Sequence, residues 1–279
     1  MRAVICLVLF LAMAGATADE SDSQERRFDA ELDRRFVLGI AAGLERFDTN
    51  IRVVDRDTGN SIFLDAEGSF GLPESKTVPI LYGAIRINKK HGLGFYHFKV
   101  RRSGTALAVD QDYGGLTVNG TASFDDDSSL GYVNYSYTLF DDKRTIIRAL
   151  LGVYLLDLAF TLDAVGEISL DGDPIQSGEY NETISQFAPL PLFGLDYWTR
   201  ITNKWYLGGK VAFITGTYDD VSALAIEAAL RARWRMTDRT SLITGVNFMS
   251  ADVDIKRTST IREISYGFEG VYLGLDFSF

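Results

Sequence analysis

Residues 204–236, KWYLGGKVAFITGTYDDVSALAIEAALRARWRM, decide the fold. Trp205, Leu207, Val211 and Phe213 alternate with Tyr206, Gly208, Lys210 and Ala212. After an acidic turn at Tyr218–Asp220, Leu224, Ile226, Ala228, Leu230 and Trp234 alternate with Glu227, Arg231, Arg233 and Arg235. A period of two is that of a strand, whose successive side chains point to opposite faces. One face of each arm is therefore oily, and the other carries Lys, Glu and Arg. Each arm runs past ten residues. Soluble strands average about 5–6 residues, whereas a tilted strand needs about 9–11 to cross a bilayer. The pattern predicts lipid on one side and a polar lumen on the other.

The same alternation extends over the chain. Phe36, Leu38, Ile40 and Leu44 alternate with Gly39, Ala41, Gly43 and Glu45. Strands are predicted at about 76–88, 92–101, 129–140, 143–157, 190–202, 204–217, 221–236, 240–253 and 260–279. Residues 36–71 add one strand or three, because Asp57-Thr58-Gly59-Asn60 reads as a turn between 49–56 and 60–67. The expectation is an all-β, antiparallel up-and-down transmembrane β-barrel over 36–279, of ten to twelve strands, with twelve favoured. The insert at 104–120 could form a further projecting hairpin. Short polar turns near 88–92, 141–143, 202–204 and 237–239 alternate with longer or acidic connections at 101–128, 166–183, 218–220 and 249–259. Barrels of this kind place short turns in the periplasm and long loops outside. In the last segment, apolar residues sit on even numbers up to Phe268 and on odd numbers from Val271, so a β-bulge is expected at Glu269-Gly270.

Composition agrees with export. Residues 1–18, MRAVICLVLFLAMAGATA, have a basic start, an apolar core and a small-x-small site at Ala16-Thr17-Ala18. They read as a cleaved signal peptide, with a polar tail at 19–35 before the barrel. Cys6 is the one cysteine and falls inside that peptide, so the mature chain has no disulfide framework or Cys-rich metal module. The net charge of −10 argues against nucleic acid as a partner.

The segment Tyr272-Leu273-Gly274-Leu275-Asp276-Phe277-Ser278-Phe279 resembles the C-terminal signal of Gram-negative outer-membrane β-barrel proteins. Tyr272, Gly274, Phe277 and Phe279 occupy its defined places. The chain also resembles a little-characterised group of proteobacterial barrels, over Ala188–Leu195 and Tyr132–Asp157. The resemblance implies the cell outer membrane as location, outer-membrane lipid and lipopolysaccharide as surroundings, and the barrel-assembly machinery and periplasmic chaperones as partners in biogenesis. It implies no chemistry.

The residues add little chemistry of their own. A hydrolytic site needs a positioned imidazole. His97 is the only plausible base for a lipid-modifying or proteolytic barrel, and no Ser or acid stands at a diagnostic spacing. Expected lumen-lining residues are Glu45, Arg86, His97, Lys99, Arg101, Arg148, Asp196, Arg200, Lys210, Glu227, Arg231, Arg233 and Arg235. Tyr137, Trp205 and Trp234 are expected in an aromatic girdle. Asp125-Asp126-Asp127 and Asp171-Gly172-Asp173 read as solvated loop acids rather than calcium sites. No catalytic residue, metal ligand or cofactor is expected. The residues point to a structural or narrow-pore barrel with a partly basic lumen, a barrel enzyme and a loop-borne adhesin being the alternatives.

Overall fold

The computed structural model describes residues 34–279, apart from 57, 58, 60, 114, 115, 143, 171, 172 and 259. The expected signal peptide and most of the tail lie outside the described residues, as do Asp171 and Gly172. Thirteen strands run β1 (Phe36–Asp55), β2 (Ser61–Asp65), β3 (Ser75–Arg86), β4 (His91–Lys99), β5 (Arg102–Tyr113), β6 (Leu116–Asp126), β7 (Ser129–Asp141), β8 (Thr145–Leu170), β9 (Asp173–Arg200), β10 (Trp205–Tyr218), β11 (Val221–Arg235), β12 (Thr240–Lys256) and β13 (Thr260–Ser278). A single turn of helix, α1 (Ala66–Phe70), follows β2.

Ten of these strands close the wall in the order β1-β3-β4-β7-β8-β9-β10-β11-β12-β13, and β13 pairs back onto β1. Every pairing is antiparallel, and closure leaves no free edge in the wall. The wall count is ten rather than the favoured twelve. The turn expected at Asp57–Asn60 lies, Gly59 apart, outside the described residues; β2 pairs only the upper part of β1, from Asn50↔Asp65 to Val54↔Ser61, and does not return through the wall. The insert after β4 likewise projects: β5 pairs β6, and β6 lies along the upper part of β8, from Asp126↔Phe160 to Leu116↔Leu170. The connections expected at 101–128 and 166–183 are thus largely strand. β8 and β9 stay paired from Thr145↔Thr199 to Leu170↔Asp173.

Both ends of the described barrel sequence lie at the short-turn end, where Phe36 N donates to the Phe279 carbonyl at 3.3 Å. A belt of outward apolar side chains rings the wall next to that end. It includes Ile40, Leu44, Leu81, Leu93, Phe95, Val133, Leu151, Phe193, Leu207, Phe213, Leu230, Val246, Val271 and Leu273, all exposed. Oily groups covering a whole circumference belong against hydrocarbon.

Above the belt the pattern inverts. In β13 the even residues Ile264, Tyr266 and Phe268 are buried inside, as are Gly274 and Asp276 further along the same parity. Pairing continues without a shift on both sides of the expected bulge, through Arg46↔Glu269, Glu45↔Gly270 and Asn247↔Gly270. There is no bulge at Glu269-Gly270. The apolar residues change face because the solvent outside changes from lipid to water. β12 repeats the inversion: Val246 and Phe248 face out, whereas Met249, Ala251, Val253 and Ile255 are buried inside. Arg52 and Glu263, opposite each other on the outer face above the belt, pair at 3.3 Å.

Candidate functional site

The lumen is layered. Nearest the short turns lies a charged layer. Arg148 and Asp196 stand directly opposite on β8 and β9, with Arg148 Nη1 3.4 Å from Asp196 Oδ2. Arg231 of β11 also donates to Asp196, through Oδ1. Arg233 Nε lies 2.6 Å from Asp276 Oδ2, and the Tyr82 hydroxyl donates to Asp276 Oδ1. The Trp198 ring sits against both guanidinium groups, 4.6 Å from Arg231 and 4.5 Å from Arg233. Such contacts hold cations where water is scarce.

Glycines make this crossing of side chains possible. Trp198, Gly208 and Arg231 form one row across β9, β10 and β11. A Cβ at Gly208 would meet Trp198 Cδ2 at 2.6 Å, so the missing side chain is the space through which the indole reaches Arg231. Tyr82, Gly39 and Asp276 make a second such row across β3, β1 and β13.

The middle layer is a buried ion pair framed by tyrosines. Lys210 Nζ lies 2.6 Å from Glu227 Oε1, donates to the Tyr132 hydroxyl at 2.8 Å, and sits 4.0 Å from the Tyr132 ring centroid. Tyr96 stacks on Tyr132 at 5.4 Å. Glu45, 1% exposed, accepts from Asn247 Nδ2 at 3.1 Å. Between the two layers and the short-turn mouth is a cavity of about 220 Å³.

Above Glu45 and Glu227 the lumen is packed with apolar side chains. Phe47, Phe98, Phe268, Tyr266, Tyr154, Phe160 and Met249 belong to one buried cluster. Phe98 meets Phe268 edge-on at 5.0 Å, and the Tyr154 hydroxyl reaches Met249 Sδ at 3.2 Å. α1 closes the top. Its N-cap Asp65 accepts from Gly68 N at 2.8 Å, and Gly71 ends it with φ 65°. Phe70 stacks on Phe124 at 5.4 Å. Arg102, fully buried, ties this cap to the wall: it reaches Glu67 at 2.5 Å, Asp126 at 2.8 Å and the Thr49 hydroxyl at 2.8 Å.

Among solved structures, the outer-membrane protease OmpT from Escherichia coli matches with a TM-score of 0.59 at 12% identity, over 88% of this chain and 96% of that one. The fold is that of the Gram-negative outer-membrane β-barrels. The transport unit of the autotransporter AIDA-I from Escherichia coli is also similar, at TM-score 0.39 and 12% identity over 99% of this chain and 98% of its own. OprG from Pseudomonas aeruginosa matches at TM-score 0.36 and 9% identity over 88% and 97%. No family model matches the chain, and no curated protein sequence does.

In this outer-membrane barrel, Glu45, Arg148, Asp196, Lys210, Glu227, Arg231 and Arg233 occupy the lumen. Arg86 sits at the mouth, 3.4 Å from Asp141, and Arg200 and Arg235 continue the inward parity of their strands there. Three expected lumen residues face outward instead. His97 shares the parity of the exposed Leu93 and Phe95, and so do Lys99 and, beyond the strand, Arg101. Polar residues on that parity mark where the strand leaves the belt, not a turn into the lumen. Lys99 Nζ lies 2.7 Å from Asp127 and Arg101 Nε 3.3 Å. The hydrogen bond from Lys99, and then Arg101, hold the Asp127 carboxyl below its ordinary range. Asp126, expected to be solvated, is instead buried against Arg102.

The residues expected in a girdle all lie at the short-turn end, Trp205 and Trp234 on β10 and β11 and Tyr137 on β7. Trp205 and Trp234 are register partners stacked at 6.2 Å. Tyr137 meets His91 edge-on at 5.4 Å, and His91 Nδ1 bonds the Tyr135 hydroxyl. Of the expected assembly signal, Tyr272 and Gly274 face in and Phe277 and Phe279 do not. Tyr82, Tyr96, Tyr132, Trp198, Asn247 and Asp276 were not anticipated in the lumen. Tyr82 and Trp198 share the parity of Arg86 and Asp196 on their own strands, and only their aromatic character set them apart from the anticipated charges.

Proposed function

We propose that this outer-membrane barrel is a non-enzymatic, structural wall whose lumen is closed at rest. The observation that carries this reading is the apolar plug above Glu227, with Phe47, Phe98, Tyr266 and Phe268 packed across the lumen. Aromatic groups packed at core density leave no hydrated path, and conduction needs one. A ten-stranded wall is also narrower than the roughly 16-stranded porins that hold open channels. His97, the one base on which a catalytic reading relied, faces away from the lumen and stands apart from its charged layer. The extended β8–β9 hairpin favours a second role for the long-loop end, the presentation of a rigid surface beyond the membrane. The same reading takes residues 1–18 as a cleaved signal peptide, places the short turns in the periplasm, sets the apolar belt against lipid and lipopolysaccharide, and assigns recognition by the assembly machinery to Tyr272, Gly274, Phe277 and Phe279.

Reconstitution in planar bilayers tests it. The purified barrel is expected to give no steady conductance, while Phe98→Ala/Phe268→Ala gives discrete openings. A stable open channel in the wild type would overturn the closed-wall reading.

A further inference from the structure

The chain is acidic overall, but the cavity below the plug is not. Six cationic side chains line it against two carboxylates, Asp196 and Glu227. Each is already engaged, Glu227 through one of its two oxygens. Lys210 holds Glu227, and Asp196 serves Arg148 and Arg231 together. Asp276, behind the lining, is held by Arg233 and Tyr82. The remaining donor capacity is therefore cationic. Arg148 is left with the longer contact to a shared carboxylate, at 3.4 Å. Arg231 Nε is buried with no hydrogen-bond partner among the described residues. A buried guanidinium N–H without an acceptor costs free energy, and excess positive charge in a low-dielectric space attracts an anion.

We propose that this cavity is a binding site for a small oxyanion, a phosphate or carboxylate group gripped by Arg148 and Arg231 and entered from the short-turn mouth. Guanidinium groups match such oxygens with paired, charge-assisted hydrogen bonds. About 220 Å³ is ample for phosphate or a short dicarboxylate. Arg86, paired with Asp141 at 3.4 Å and donating to the Asn88 and Lys89 carbonyls, stands at the entrance. The plug makes the site a dead end, so the anion is held rather than passed. The inference does not depend on the barrel being closed, since a conducting barrel could hold the same anion, and its test is separate from conductance.

The molecule supplies its own reporter. Of its three tryptophans, Trp198 alone lines the cavity, against Arg231 and Arg233. The full chain carrying Trp205→Phe and Trp234→Phe, folded in detergent micelles, is titrated with inorganic phosphate and separately with succinate, both at constant ionic strength in sodium chloride. Saturable change in Trp198 emission is expected with at least one, and the tighter of the two names the ligand class. Arg148→Gln should weaken it at least tenfold, with Arg148→Lys in between. Should Arg148→Gln not fold, collisional quenching in the parent decides: iodide should quench Trp198 more than caesium does, and phosphate should protect it. No saturable response to either anion, or quenching by caesium equal to that by iodide, would overturn the site.

Discussion

Lys210 and Glu227 show what a single side chain carries here. Each is less than a tenth exposed, and each is the other's ion-pair partner at 2.6 Å. Removing one member of a buried pair leaves an uncompensated charge and costs about 3–5 kcal/mol, whereas replacing both with apolar groups of similar volume can be neutral. Lys210→Met is therefore expected to lower unfolding stability by about that amount, and Lys210→Met/Glu227→Leu to recover most of it, as read from denaturant unfolding in detergent. Asp127 is the opposite case, an exposed acid outside the membrane belt. Lys99 and Arg101 depress its pKa, so the pair contributes above the ordinary Asp value of about 3.9 and its contribution is lost as pH falls through the lowered value. Lys99→Gln should move the Asp127 carboxyl titration back up toward that value in a carbon-detected NMR titration. An unchanged titration would show that Arg101 alone sets it.

At the scale of the element, the inversion of the apolar face within β1, β12 and β13 is the main finding. Alternation in one strand was legible from sequence, and nine expected strand segments correspond to β3, β4 and β7–β13. The phase change in β13 was legible too, but its cause was not. A bulge and a change of solvent produce the same residue pattern, and only the unbroken register through Glu45↔Gly270 separates them. Spin labels on single cysteines at Leu273 and Ser265 test this directly. The label at 273 is expected to be accessible to oxygen from lipid and the label at 265 to a water-soluble nickel chelate. Inserting one residue between Glu269 and Gly270 would turn Tyr272 and Asp276 outward and Leu273 inward. Failure of that variant to assemble, judged by loss of the heat-modifiable folded band on gels, is the expected result. The same ambiguity explains His97, Lys99 and Arg101: their charges suggested the lumen, while their shared parity with Leu93 and Phe95 put them outside.

For the whole molecule, closure, plug and cap act together. Ten strands enclose a lumen narrow enough to be filled by side chains, and the filling divides into a charged half and an apolar half. Truncating Phe98 and Phe268, in edge contact at 5.0 Å, should remove a few kcal/mol of stability each and hollow the plug. A fall in thermal unfolding temperature together with the conductance described above is the expected pair of readouts. Stability loss without any conductance would place the seal instead at the α1 cap and Arg102.

The sequence by itself determined the fold class, because a period of two with one oily face is a local property that survives without knowledge of partners. It also identified most of the lumen charges, since polar residues on that parity have nowhere else to go inside a membrane. It could not decide the number of wall strands, because the β1–β2 turn looks the same whether its second arm crosses the membrane or stops beside the first. Nor could it pair Arg148 with Asp196, carry Trp198 over Gly208, or set Phe98 against Phe268. Those contacts join residues far apart in the chain, and only closure of the barrel, with its single register, brings them to one height in the lumen.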